Sequence, residues 1–92
     1  MRITFSYKKC YVTIASDDND DLNNILFRPE VIIDIDQDIL KNISLADIPE
    51  TWGVREITFL RGFTCFKIEY EKFCNINRII RISKKFIDSI CQ

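Results

Sequence analysis

The sequence predicts an α+β fold: one small antiparallel sheet of about four to six strands with about two or three short helices, in a single domain spanning residues 1–92. Three observations carry that prediction. Two stretches, 2–15 and 54–71, alternate apolar and polar residues, the pattern of strands with one buried and one solvated face. Val31-Ile32-Ile33-Asp34-Ile35 is rich in β-branched side chains, which suit a pleated surface. Short segments that begin with helix-capping residues lie between and after these runs.

Each element follows in chain order. Ile3, Phe5 and Tyr7 alternate with Thr4 and Ser6, and Cys10, Val12 and Ile14 alternate with Tyr11 and Thr13. Lys8-Lys9 is then a turn between two strands, or the middle of one long bent strand; it lacks the Asn-Gly chemistry of a tight hairpin. The acidic run from Asp17 to Asp21 is a polar break whose last carboxylates cap a short helix over 22–27, ended by Pro29. Residues 31–35 form a strand. Asp36 is the N-cap of a second short helix, 37 to about 43, with Ile39, Leu40 and Ile43 on one face. Residues 44–53 are a loop containing Pro49, Trp52 and Gly53, with Trp52 covering an edge of the core. Residues 54–71 are a hairpin turning at Arg61-Gly62.

The tail satisfies two periodicities. Ile76, Arg78, Ile80 and Ile82 have strand spacing, whereas Ile76, Ile79, Ile80, Phe86, Ile87, Ile90 and Cys91 have approximately helical spacing. The reading adopted is a strand near 75–82 followed by a helix 84–91 capped by Ser83; a single helix 76–91 is the alternative.

Composition narrows the function classes. Hydrophobic residues at 47% and a net charge of −1 describe a folded chain without a strong overall field toward nucleic acid or acidic lipid. No apolar run reaches bilayer length, and the alternating N-terminus does not resemble a secretion signal, so a cytoplasmic location is expected. Alanine occurs only at 15 and 46 while isoleucine abounds, the coding bias of an AT-rich bacterial, phage or viral genome. Cys10, Cys65, Cys74 and Cys91 each lie in an apolar segment without a CxxC pair, which favours free thiols acting as small hydrophobes over a disulfide frame.

The chain contains no histidine. That removes the commonest general base, the Ser–His and Cys–His nucleophile pairs and the usual zinc ligand mixtures. With glycine only at 53 and 62 there is no phosphate-cradling loop. Asp17, Asn19 and Asp21 have alternate spacing, but Leu22 and Arg28 stand where a calcium loop needs glycine and glutamate. Neither a metal nor a cofactor is expected. Lys8 and Lys9 next to Cys10 are the sole hint of an activated thiol, and strand alternation turns Lys9 away from it.

Charge is segregated. Residues 1–50 hold five basic and ten acidic side chains, and residues 51–92 hold eight basic and four acidic. Asp34, Asp36 and Asp38 alternate at a strand end; with Asp17, Asp18, Asp20, Asp21 and Glu30 they are candidates for an acidic patch that suits a basic protein partner. Trp52 and Phe63 are candidate apolar anchors. Arg78, Arg81, Lys84 and Lys85 form the basic counterpart, but a sequence pI of about 5.3 disfavours a dedicated nucleic-acid binder.

Residues 33–52 also resemble a segment of the RES domain, a family of NAD-consuming toxins: a strand, a short acidic helix and a Leu-Pro-x-x-Trp-like ending, here Ile48-Pro49-Glu50-Thr51-Trp52. The resemblance implies NAD chemistry. It covers roughly a fifth of the chain, and the Gly-Arg-Trp and Asn-Pro stretches of that family have no counterparts, so no NAD-binding residue carries over.

The expectation from sequence is therefore a small non-enzymatic protein-binding or inhibitor protein, of the immunity-protein, antitoxin or phage-encoded-modulator type, presenting an acidic surface to a basic partner. The alternatives are a RES-like NAD-consuming enzyme fragment and a structural homo-oligomer whose acidic and basic halves meet between copies.

Overall fold

Alternation with period two becomes a sheet of five antiparallel strands in the computed structural model, which describes residues 2–15, 30–40, 45–69 and 75–91. The strands are β1 (Arg2–Tyr7), β2 (Cys10–Ala15), β3 (Glu30–Asp36), β4 (Val54–Leu60) and β5 (Phe63–Glu69). Their spatial order is β1-β2-β3-β5-β4, so β5 inserts between β3 and its own hairpin partner. One helix, α1 (Ile76–Ile90), follows, and two short 3-10 turns, Leu45–Asp47 and Glu50–Trp52, precede β4.

Both hairpins close in two residues held at positive φ. Lys8 and Lys9 have φ of 50° and 63°, so residues 2–15 are two strands rather than one bent strand. Arg61 and Gly62 have φ of 52° and 83°. Such left-handed pairs match the right-handed twist of the flanking strands. Gly53 is also left-handed at φ 73°, and a Cβ there would lie 3.0 Å from the Glu69 carbonyl oxygen. The backbone needs glycine at this point to enter β4 beside β5, whose Glu69 N–H donates to the Gly53 carbonyl at 3.2 Å. β4 then carries a register shift between Val54 and Glu56, a bulge of the kind that blunts an edge strand.

Register pairs Val12 with Ile33 and Ile33 with Phe66, and cross-strand partners share a face. One face thus collects Cys10, Val12, Ile14, Val31, Ile33, Ile35, Phe66 and Ile68, all buried, and α1 closes over it with Ile79, Phe86 and Ile87. The Phe86 ring meets Phe66 at 5.3 Å and Trp52 at 5.6 Å, both edge-on. Edge-to-face rings add attraction beyond their buried area.

The helices differ from the sequence expectation. Among the described residues there is one helix, not two or three. The expected strand at 75–82 is helical: Asn75 caps α1, its side chain accepting the Arg78 N–H at 2.9 Å. Ser83, expected as a cap, lies inside the helix and is fully buried; its hydroxyl donates to the Ile79 carbonyl at 2.8 Å. Asp36 does cap a turn. Its carboxylate accepts the Asp38 N–H at 2.8 Å, and its carbonyl accepts from Ile39 and Leu40, but residues 37–40 form a turn, not a helix. The rest of that segment, 41–44, and the expected helix 22–27 lie outside the described residues. No described helix is long and apolar enough to cross a membrane.

Candidate functional site

The single described helix covers one face of the sheet, and the candidate site is the other. By register, the row Ser6–Tyr11–Asp34–Cys65–Thr58 crosses all five strands on this face, with Asp36, Phe63 and Leu60 in the next aligned position. Tyr11 is 50% exposed and Leu60 65%. The rings of Tyr11 and Phe63 meet edge-on at 6.3 Å. An apolar strip therefore runs beside two carboxylates.

Three hydrogen bonds hold the end of this strip. The Gln37 N–H donates to the Gly62 carbonyl at 2.8 Å, and Gln37 Nε2 donates to the Phe63 carbonyl at 3.4 Å. Asp36 accepts from the Asp38 backbone. The turn after β3 is thus stitched to the β4–β5 turn, which sets Asp36 alongside Phe63 and Asp38 next to Asp36. Among the described residues no cation pairs with Asp34 or Asp36. Nearby charges are already matched in part: Lys67 Nζ reaches Glu30 at 3.6 Å and Arg55 reaches Glu69 at 4.0 Å.

Thiols on both faces are held protonated. Burial, with the Asp34 carboxylate beside it, pushes Cys65 up to about 11. Burial, with Cys91 adjacent, pushes Cys10 up to about 12. Lys8, the sequence neighbour expected to activate Cys10 if any did, is engaged with Asp88 instead, its Nζ 2.5 Å from Oδ1.

Of the residues singled out in the sequence, Asp34, Asp36, Asp38 and Phe63 come together. Trp52 does not join them: it is half-buried against Phe86 on the helix side of the sheet. Asp17, Asp18, Asp20 and Asp21 lie outside the described residues. Tyr11 and Leu60 were not singled out. Their signal was available in phase: Tyr11 falls between the inward Cys10 and Val12, and a two-residue turn at 61–62 pairs Leu60 with Phe63. The RES-like segment maps onto β3, the turn at 37–40 and the two 3-10 turns, with 41–44 outside the described residues.

No protein-family model matches the sequence, and no curated protein or solved structure matches the chain.

Proposed function

We propose that this chain is a small non-enzymatic protein-binding module of the inhibitor type, such as an immunity protein, antitoxin or phage-encoded modulator, working in the cytoplasm. The sheet face opposite α1 meets a basic protein. The observation that carries this reading is the strip in which Asp34 and Asp36, unpaired with any described cation, flank the half-exposed Tyr11–Phe63 pair and Leu60. Aromatic side chains supply binding area with little loss of conformational freedom, and the carboxylates steer and orient a basic partner.

Charge also argues against two such faces meeting each other. The face carries Glu30, Asp34, Asp36, Glu56 and Glu69 against Arg2, Lys67 and the Arg55 that reaches Glu69, so a symmetric face-to-face dimer would juxtapose a net excess of like charge.

The test compares the tagged wild-type chain with an Asp34→Lys/Asp36→Lys variant and with Tyr11→Ala, using capture from lysate at two salt concentrations. The expected result is one near-stoichiometric basic protein, lost with either variant and at high salt. Its association rate with the double variant should fall roughly tenfold or more. Retention of the partner by both variants overturns the assignment of this face. Recovery of only further copies of the chain overturns the inhibitor reading in favour of a homo-oligomer.

A further inference from the structure

The outer side of α1 is basic. Ile79, Ser83, Phe86 and Ile87 are buried on its inner side. Arg78, Arg81, Lys84 and Lys85 are all exposed, and helical geometry gathers them within roughly a third of the circumference, opposite the buried residues. One carboxylate, Asp88, shares that side, and it is already engaged at the β1–β2 turn. Tyr7 Oη donates to both Asp88 oxygens at 3.0 Å, and Lys8 Nζ donates to Oδ1 at 2.5 Å. Lys84 Nζ lies over the Tyr7 ring at 5.5 Å, a contact that leaves its N–H donors available. Among the described residues no carboxylate pairs with Arg78, Arg81, Lys84 or Lys85.

Helix stability does not account for this arrangement. Arg81 stands three residues from Arg78 and from Lys84 and four from Lys85, so like charges are neighbours on the helix surface, which destabilises it. The first turn holds no acidic residue and the last turn no basic one, so the charges do not complement the helix dipole either. A polyanion lying along the helix would relieve both penalties.

The chemistry of this side selects among polyanions. Its exposed side chains include no apolar residue. A helix that lies in a lipid interface needs a free apolar face, and α1 uses its own against the sheet. It offers no aromatic platform for unpaired bases and no apolar cover for Tyr11 and Leu60 on the sheet of a second copy. We infer that the outer side of α1 binds the phosphate backbone of a nucleic-acid duplex through Arg78, Arg81, Lys84 and Lys85, without reading sequence.

From Arg78 to Lys85 the helix rises about 10 Å, the axial length of about three phosphates on one strand. Arginine forks grip phosphate oxygens in pairs, and lysines add point charge. The net charge of −1 and the low pI average over two sides of the molecule. Asp34 and Asp36 lie on the sheet face opposite α1, and their repulsion turns that face away from the duplex. The site does not depend on a protein partner at the acidic face, and both faces can be occupied at once.

The test titrates the full chain into labelled duplex DNA, duplex RNA and their separated strands, read by fluorescence anisotropy, and into vesicles of phosphatidylserine and phosphatidylcholine. The expected result is binding to one or both duplexes, indifferent to sequence, with an association constant that falls roughly a hundredfold between about 50 and 200 mM salt. Arg81→Gln should reduce the log–log salt slope by about 1, and Arg78→Gln/Arg81→Gln/Lys85→Gln should abolish binding. Both variants should unfold in urea no earlier than wild type, because like-charge repulsion is relieved, which separates loss of the site from loss of the fold. Tyr11→Ala, on the opposite face, should bind duplex as wild type does, so failure at one face is distinguished from failure at the other. No duplex binding at the lower salt, binding unaltered in the triple variant, or tighter binding to single strands or vesicles than to either duplex would each overturn the inference.

Discussion

Phe86 is where the helix is held to the sheet, and its truncation measures that attachment. The side chain is fully buried and touches two rings, Phe66 on β5 and Trp52 before β4. Phe→Ala in a core costs about 3–5 kcal/mol, from lost transfer free energy and the cavity left behind. Two edge-to-face pairs, each worth about 0.5–1.5 kcal/mol beyond area, place Phe86→Ala near the upper half of that range, about 4 kcal/mol. A domain of this size has roughly 5–14 kcal/mol in all, so a large share of the fold's stability rests on one side chain. The midpoint of thermal unfolding should fall by roughly 15–30 °C. Urea denaturation followed by Trp52 fluorescence is the assay, since the only tryptophan lies against the deleted ring and reports its loss directly. Phe86→Leu keeps most of the volume and should lose about 1–2 kcal/mol. A loss below about 1 kcal/mol for Phe86→Ala would mean that α1 is not anchored through this residue, and the reasoning about the helix–sheet contact would fail.

Two further outcomes follow from the turn and the seam beside it. Lys9 holds φ of 63°, a conformation that costs an L-residue roughly 1–2 kcal/mol and glycine almost nothing. Offset by glycine's greater freedom in the unfolded chain, Lys9→Gly should still raise stability by about 0.5 kcal/mol in urea titration; a clear loss would refute the left-handed turn. The Asp88 seam makes stability depend on pH at both ends. Lys8, through its hydrogen bond, holds the Asp88 carboxyl below its ordinary value, so this contribution is present above the unfolded carboxylate pKa and is lost as pH falls through the lowered folded one. Asp88 in turn raises Tyr7 and Lys8, so their contributions are present below the unfolded values and are lost as pH rises through the raised ones. The stability gap between wild type and Asp88→Asn should be widest near neutral pH, narrow in acid and in strong base, and shrink with salt, as the half-exposed ion pair requires. A gap independent of both pH and salt would refute the charge assignment.

Much of the sheet was legible from local pattern, because alternation sorts side chains by face before any partner is known. The ranges 2–15 and 54–71 read as strands contain β1, β2, β4 and β5, and 31–35 falls one residue short of β3 at each end. The Asp36 turn cap and the shared orientation of Asp34 and Asp36 were legible for the same reason. The tail was not. Ile76, Ile80 and Ile82 fit a strand locally; only a helix places Ile79, Ser83, Phe86 and Ile87 together on the sheet's buried face. Ser83 read as a cap because serine commonly starts helices, whereas burial gave its hydroxyl a carbonyl partner one turn back.

What the sequence by itself determined was the alternating segments that become β1–β5, the turn at 61–62 and which side of each strand would be dry. Those are consequences of residue type and spacing. The tertiary structure alone decided that β5 lies between β3 and β4, because strand order depends on pairing between segments remote in sequence. It also decided between the two readings of the tail and between the two roles of Trp52, core cover and partner anchor, and that Tyr11 and Leu60 join Asp34, Asp36 and Phe63 on the face opposite α1. Each of these depends on which remote surface a residue meets, and no local periodicity encodes that meeting.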